Sequence, residues 1–268
     1  MDDVITDIPP PSRFLLEDLN NFTPPPPPLP SPFLVFSPTD SKSSYSPSLL
    51  IIAKSSPSIH FLHYLSSKTL IGTLILPEIP CAGNSLEPSL TDKSCNIYAL
   101  NGDDDKLIMI VLVQFSVSSE RSHAVTKLIL GDKIIPQRVL ILDSIQSHNF
   151  RGKLSFDEAS AFKLETSSER KNSEAGDLSL IKGLDYYPSG SVVDGLAAAL
   201  LSRCQLKKIP GTLCVSWPDF GVQVMALVKS ILVKNVLTGT TCSINKDHED
   251  EYVRLSRRKN VLDSELYT

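Results

Sequence analysis

Twelve of the chain's twenty prolines fall within its first 48 residues, five of them in an unbroken run at 24–28. Proline fixes φ and lacks an amide hydrogen, so such a stretch can be neither a helix interior nor a central strand. The pattern predicts an extended, polyproline-II arm over residues 1–30, with Phe33–Phe36 as a short strand beside it. Regular structure must then come from the residues beyond the arm. The sequence divides into that arm, an α/β domain over 31–236 and a C-terminal tail over 237–268.

The rest of the composition allows one sizeable core. Hydrophobic residues make up 41% of the 268 and charged residues 21%, and a fold of this length buries roughly 70–75% of its unfolded surface. Twenty-six basic and thirty acidic side chains leave a net charge of −4, which argues against a phosphate-backbone binder, so no nucleic acid is expected as partner. Asp2, Asp3 and Asp7 precede the first basic residue, Arg13, and prolines 9–11 interrupt any apolar run. No secretory signal is read there. The most apolar stretch, 107–113, is far shorter than the roughly 20 residues a bilayer requires, so no membrane is expected either. Cys81, Cys95, Cys204, Cys214 and Cys242 show no Cys-x-x-Cys or Cys/His spacing, so no metal site is expected. Free thiols fit a reducing compartment, cytoplasm and nucleus alike.

From residue 49 the sequence turns to strand and helix patterns. Strands are predicted at 49–53, 59–64 and 69–76, followed by a loop over 77–91. A hairpin pairs 96–100 with 107–115 around an acid-rich turn, Asp103, Asp104 and Asp105, read as solvated rather than as a calcium site. A helix comes next over 118–130 with Ala124, Leu128 and Leu130 inward, then a buried strand over 138–142. Residues 165–177 are so polar that they predict a mobile insertion. Ser189 or Ser191 would cap a helix running to Gln205, with Val192, Leu196, Leu200 and Cys204 on one stripe, widened by Val193, Ala197 and Leu201. A strand over 212–216 and a helix over 219–234 complete the pattern. Helix and strand alternating in this way predict a single three-layer α/β/α domain with a mostly parallel or mixed central sheet.

Catalytic chemistry is hard to assemble from these residues. Gly190, Ser191 and Gly195 enter a helix as phosphate loops do, but no Lys-Ser/Thr follows and no Gly-x-Ser-x-Gly elbow is formed. His60 and His63 have opposite parity in the predicted strand, so they could not share a metal. Cys214 lies mid-strand and reads as a buried, inert thiol, and Trp217 as a core or interface residue. Arg254, Arg257, Arg258 and Lys259 follow an acidic run as a solvated charged segment. No catalytic residue, cofactor or metal is therefore assigned.

The chain ends Leu266-Tyr267-Thr268, an apolar residue, an aromatic hydroxyl and a free carboxylate, which suits capture of a chain end in a pocket. This ending resembles the hydrophobic-Tyr-X terminus with which proteins dock on the α-ring of the 20S proteasome. The body resembles the proteasome assembly chaperones, and among them the chaperone 1 type in a plant-like form. The matching stretches are 8–14 (IPPPSRF), 85–90 (SLEPSL), 138–144 (RVLILDS), 187–195 (YPSGSVVDG) and 211–217 (GTLCVSW). The resemblance implies a non-enzymatic chaperone that forms a heterodimer with proteasome assembly chaperone 2 and sits on 20S proteasome α-subunits. It also implies a fold related to nucleoside-phosphorylase-like domains without their catalytic residues. The docking role falls on Leu266, Tyr267 and Thr268. The competing expectation is a divergent α/β enzyme acting on a small nucleoside-like or phosphorylated substrate, for which a deep polar pocket beside Ser191 and Asp143 would speak. A third is a scaffold bound through prolines 24–30.

Overall fold

A computed structural model describes residues 29–37, 44–85, 87–101, 106–155, 158–174 and 179–237. Its contacts divide the chain into two units, Met1–Pro30 and Ser31–Thr268, and the fold is that of the second. The proline arm up to residue 28, the acid-rich turn 102–105, Cys242, the basic cluster 254–259 and the tail from 238 lie outside the described residues.

The elements run β1 (Phe33–Phe36), β2 (Leu49–Ala53), α1 (Ser56–His63), β3 (Lys68–Ile75), β4 (Cys95–Asn101), β5 (Leu107–Val113) and α2 (Ser119–Ile129). They continue with β6 (Val139–Ser144), β7 (Ser160–Glu165), α3 (Ser167–Glu174), β8 (Asp185–Tyr186), α4 (Gly195–Lys207), β9 (Gly211–Trp217) and α5 (Val222–Asn235). All described strands join one sheet in the order β1-β3-β4-β5-β2-β6-β9-β7-β8. Its centre, β5-β2-β6-β9, is parallel. One flank, β1-β3-β4-β5, is antiparallel, and β7 lies antiparallel to β9 on the other side.

The continuous apolar runs of β2, β5, β6 and β9 mark strands covered on both faces. Leu50, Ile52, Val111, Ile141 and Leu213 point to one side, where Val125 and Ile129 of α2 and Leu196, Leu200 and Cys204 of α4 close the core. Ile51, Ile110, Leu140, Leu142 and Cys214 point to the other, against Phe61 and Leu62 of α1 and Val228, Ile231 and Leu232 of α5. The sandwich is three layers, α/β/α, with a mixed sheet, as the sequence pattern predicts.

Four local expectations are corrected. Residues 59–64 form helix, not strand: Pro57 sits in the first turn of α1, where its fixed φ favours a helix start, and Phe61, Leu62 and Leu65 make a helical stripe that is buried. In α2 Leu130 is buried as expected and Leu128 packs partly buried against the core, while Val125 and Ile129 are its buried inward residues and Ala124 is half-buried. Helix α4 begins at Gly195 with Asp194 as its N-cap residue. Residues 187–194 are instead a strap: the Ser191 hydroxyl accepts from the Arg151 amide at 2.8 Å, and Val192 is exposed.

The polar stretch 165–177 carries α3 over Ser167–Glu174. Its one fully buried residue, Glu169, pairs with Arg138 at the start of β6 and accepts the Leu180 amide at 3.1 Å. With the Ser167 amide donating to Gln205 Oε1 and the Gln205 side-chain amide donating back to the Ser167 hydroxyl, both at 2.8 Å, this charge-assisted pair anchors a helix with almost no apolar face.

Candidate functional site

The sequence places the docking role on Leu266, Tyr267 and Thr268, which lie outside the described residues. The described domain offers two further places where a ligand or partner could meet it, and they differ sharply in openness.

The first is the carboxyl end of the parallel strands, where open α/β sheets bind ligands. Here it is filled. Lys54, just after β2, donates to Asp143 Oδ2 at 2.9 Å, and the Ser144 amide donates to Asp143 Oδ1 at 2.8 Å. Burial pushes the Asp143 carboxyl above its ordinary pKa, with the Lys54 ammonium opposing. The cavity beside Asp143, between Ser55, Cys214, Ser216 and α5, measures about 10 Å³. That is room for about one water, against the roughly 300 Å³ or more of small-molecule sites. Ser191, which would flank an enzymatic pocket, bonds to Arg151 instead.

The residues singled out for nucleophilic or metal chemistry stand apart from one another. Burial pushes the thiols of Cys95, Cys204 and Cys214 up to about 12. His60 and His63 lie one turn apart on α1, a correction to their opposite-face placement, and their rings meet Tyr64 with centroids at 4.9 and 5.0 Å. Among the described residues no group of three or more His, Cys, Asp or Glu is arranged to hold a metal ion. No described helix is long and apolar enough to cross a membrane. Trp217 is buried at the end of β9, its indole N–H donating to the Ser155 carbonyl at 2.8 Å.

The second place is the antiparallel flank. Register puts Phe33 opposite Ile75 and Val35 opposite Thr73, and Leu70 opposite Tyr98 on the same face. Phe33, Val35 and Leu70 are 47%, 46% and 43% exposed. On the reverse face of these strands Leu34, Phe36 and Leu74 pack into the core. The difference follows from the helices: α1 packs on β2, β5 and β6, and α5 on β7 and β9, so this layer stops before β3. Gly72 lets β1 approach. A Cβ there would lie 2.7 Å from the Val35 carbonyl oxygen and 2.8 Å from the Phe36 ring.

Beside this face a groove of about 260 Å³ opens between β3, β4 and the loop 77–94, lined by Leu70, Ile75, Ile79, Asn84, Pro88 and Phe115 among others. The loop is firmly held. Arg121 of α2 donates to both Glu78 carboxylate oxygens at 2.5 and 2.7 Å. The Ser85 and Ser89 amides donate to Asp92 at 3.0 and 2.8 Å, which holds that carboxyl below its usual range. The groove's polar side chains largely satisfy one another: Thr73 donates to Asn96, Asn96 to Ser94 and Ser94 to Gln114. Leu70, Ile75, Ile79, Pro88 and Phe115 give the groove its apolar side.

Sequence reasoning names Phe33–Phe36 as a strand and 77–91 as a loop, and misses the exposed face they form. Four consecutive apolar residues do not say which two are covered; the extent of the helix layer decides that.

Comparison with protein-family models and with curated proteins gives no match, whereas solved structures do match. Pyrococcus furiosus PbaA, an archaeal homolog of proteasome-assembly chaperone, superposes with a TM-score of 0.59 at 15% identity, covering 89% of this chain and 94% of its own. Pyrococcus furiosus PbaB, an archaeal proteasome activator, gives a TM-score of 0.56 at 15% identity, covering 87% and 98%. A Thermoplasma acidophilum protein of unknown function gives 0.56 at 13% identity over 85% and 93%. Over nearly its whole length, then, this chain has the fold of the archaeal PbaA and PbaB structures.

Proposed function

We propose that this chain is a proteasome assembly chaperone, of the chaperone 1 type in a plant-like form. It forms a heterodimer with proteasome assembly chaperone 2 and docks on 20S proteasome α-subunits through Leu266, Tyr267 and Thr268, in the cytoplasm and the nucleus. The observation that carries the reading is the match to PbaA over 94% of that chain, a likeness of fold. The terminal Leu-Tyr-Thr adds the chemistry of chain-end capture. The chain is read as non-enzymatic, and the filled carboxyl end of the parallel strands supports that: Lys54 and Asp143 occupy it, beside a cavity of about 10 Å³.

Affinity purification of the intact protein tests this reading. Chaperone 2 and α-type subunits should be enriched with it, and the absence of both would contradict the assignment. Removing residues 1–30 should leave α-ring affinity within a few-fold, since a polyproline arm presents little apolar surface and almost no positive charge.

A further inference from the structure

We draw no further inference here: the strongest candidate, the uncovered face of β1 and β3 with the groove beside it between β3, β4 and the loop 77–94, carries none, because nothing in the structure shows what covers it.

Discussion

The parallel centre of the sheet and its antiparallel flank both carry runs of apolar residues, LLIIA in β2 and FLVF in β1, yet these meet different surroundings. In β2, β5, β6 and β9 both faces are covered, by α2 and α4 on one side and α1 and α5 on the other. In β1 and β3 one face is packed and the other leaves Phe33, Val35 and Leu70 in solvent. The contrast separates two roles that apolar residues play. Where helices close the sheet, burial supplies stability and even the usual ligand end is plugged by Lys54 and Asp143. Where the helix layer stops, the same residue types stay partly in solvent.

Truncating the centre should therefore cost far more than truncating the flank. Phe61 of α1 is fully buried against the centre, and Phe61→Ala should lower unfolding free energy by about 3–5 kcal/mol in urea titration. A loss below about 1 kcal/mol would mean that α1 is not a structural layer. Glu169→Ala comes next, at about 2–4 kcal/mol, because it removes the carboxylate that meets Arg138 and the acceptor of the Leu180 amide. Arg138 is 24% exposed, so solvent keeps that cost below the upper end for buried pairs. An unchanged melting temperature would return 165–177 to the mobile insertion that its polarity suggests.

Alkaline pH should act on both regions, through their buried thiols and tyrosines. The folded thiols of Cys95, Cys204 and Cys214 hold their protons to about 12, against an ordinary 9. Above about pH 9 the unfolded chain binds fewer protons than the folded one, so stability rises with pH nowhere in that range on their account. Rising pH favours the state that has released its protons, because the derivative of unfolding free energy with pH follows the unfolded minus the folded proton count. That difference is negative here, so stability falls as pH rises, by roughly 1 kcal/mol per pH unit for each thiol. Tyr98 and Tyr187, pushed up by burial, act in the same direction. Lys68, lowered by burial to about 8, opposes them: its unfolded form keeps the proton longer, so its contribution rises between about pH 8 and 10.5. The thiols and tyrosines outnumber it, so thermal melts should shift downward from pH 9 to 10.5. A flat or rising profile would contradict the burial of the thiols. The smallest effect belongs to the flank, where Val35→Ala and Leu70→Ala should each change stability by no more than about 0.5 kcal/mol. A larger loss would show that this face is covered within the chain.

The same contrast explains what is legible in the sequence. Runs such as LLIIA at β2, LIMIVLV at β5 and VLIL at β6 are apolar without alternation, as strands buried on both faces are. Hence the three-layer fold can be drawn from them. Helix α1 escapes the pattern because Ile59, Phe61 and Tyr64 favour strands, and the counter-signal is one proline, Pro57. Helix α3 escapes it because its order depends on Glu169 meeting Arg138, a contact 31 residues away that no local pattern carries. The exposed face is illegible for a third reason. Val35 and Leu70 look like core residues, and only the position at which α1 and α5 end makes them surface. The terminal Leu266-Tyr267-Thr268, by contrast, draws its expected role from the resemblance to other α-ring-docking ends, and it lies outside the described residues.

Whether the chain grips the proteasome α-ring by its own end is decided by equilibrium binding of the full-length protein to purified α-rings, with and without Leu266–Thr268. The deletion should weaken binding at least about 30-fold, while circular dichroism and the affinity for chaperone 2 stay unchanged. Equal affinity of the two proteins for the α-ring would contradict a docking role for the chain end.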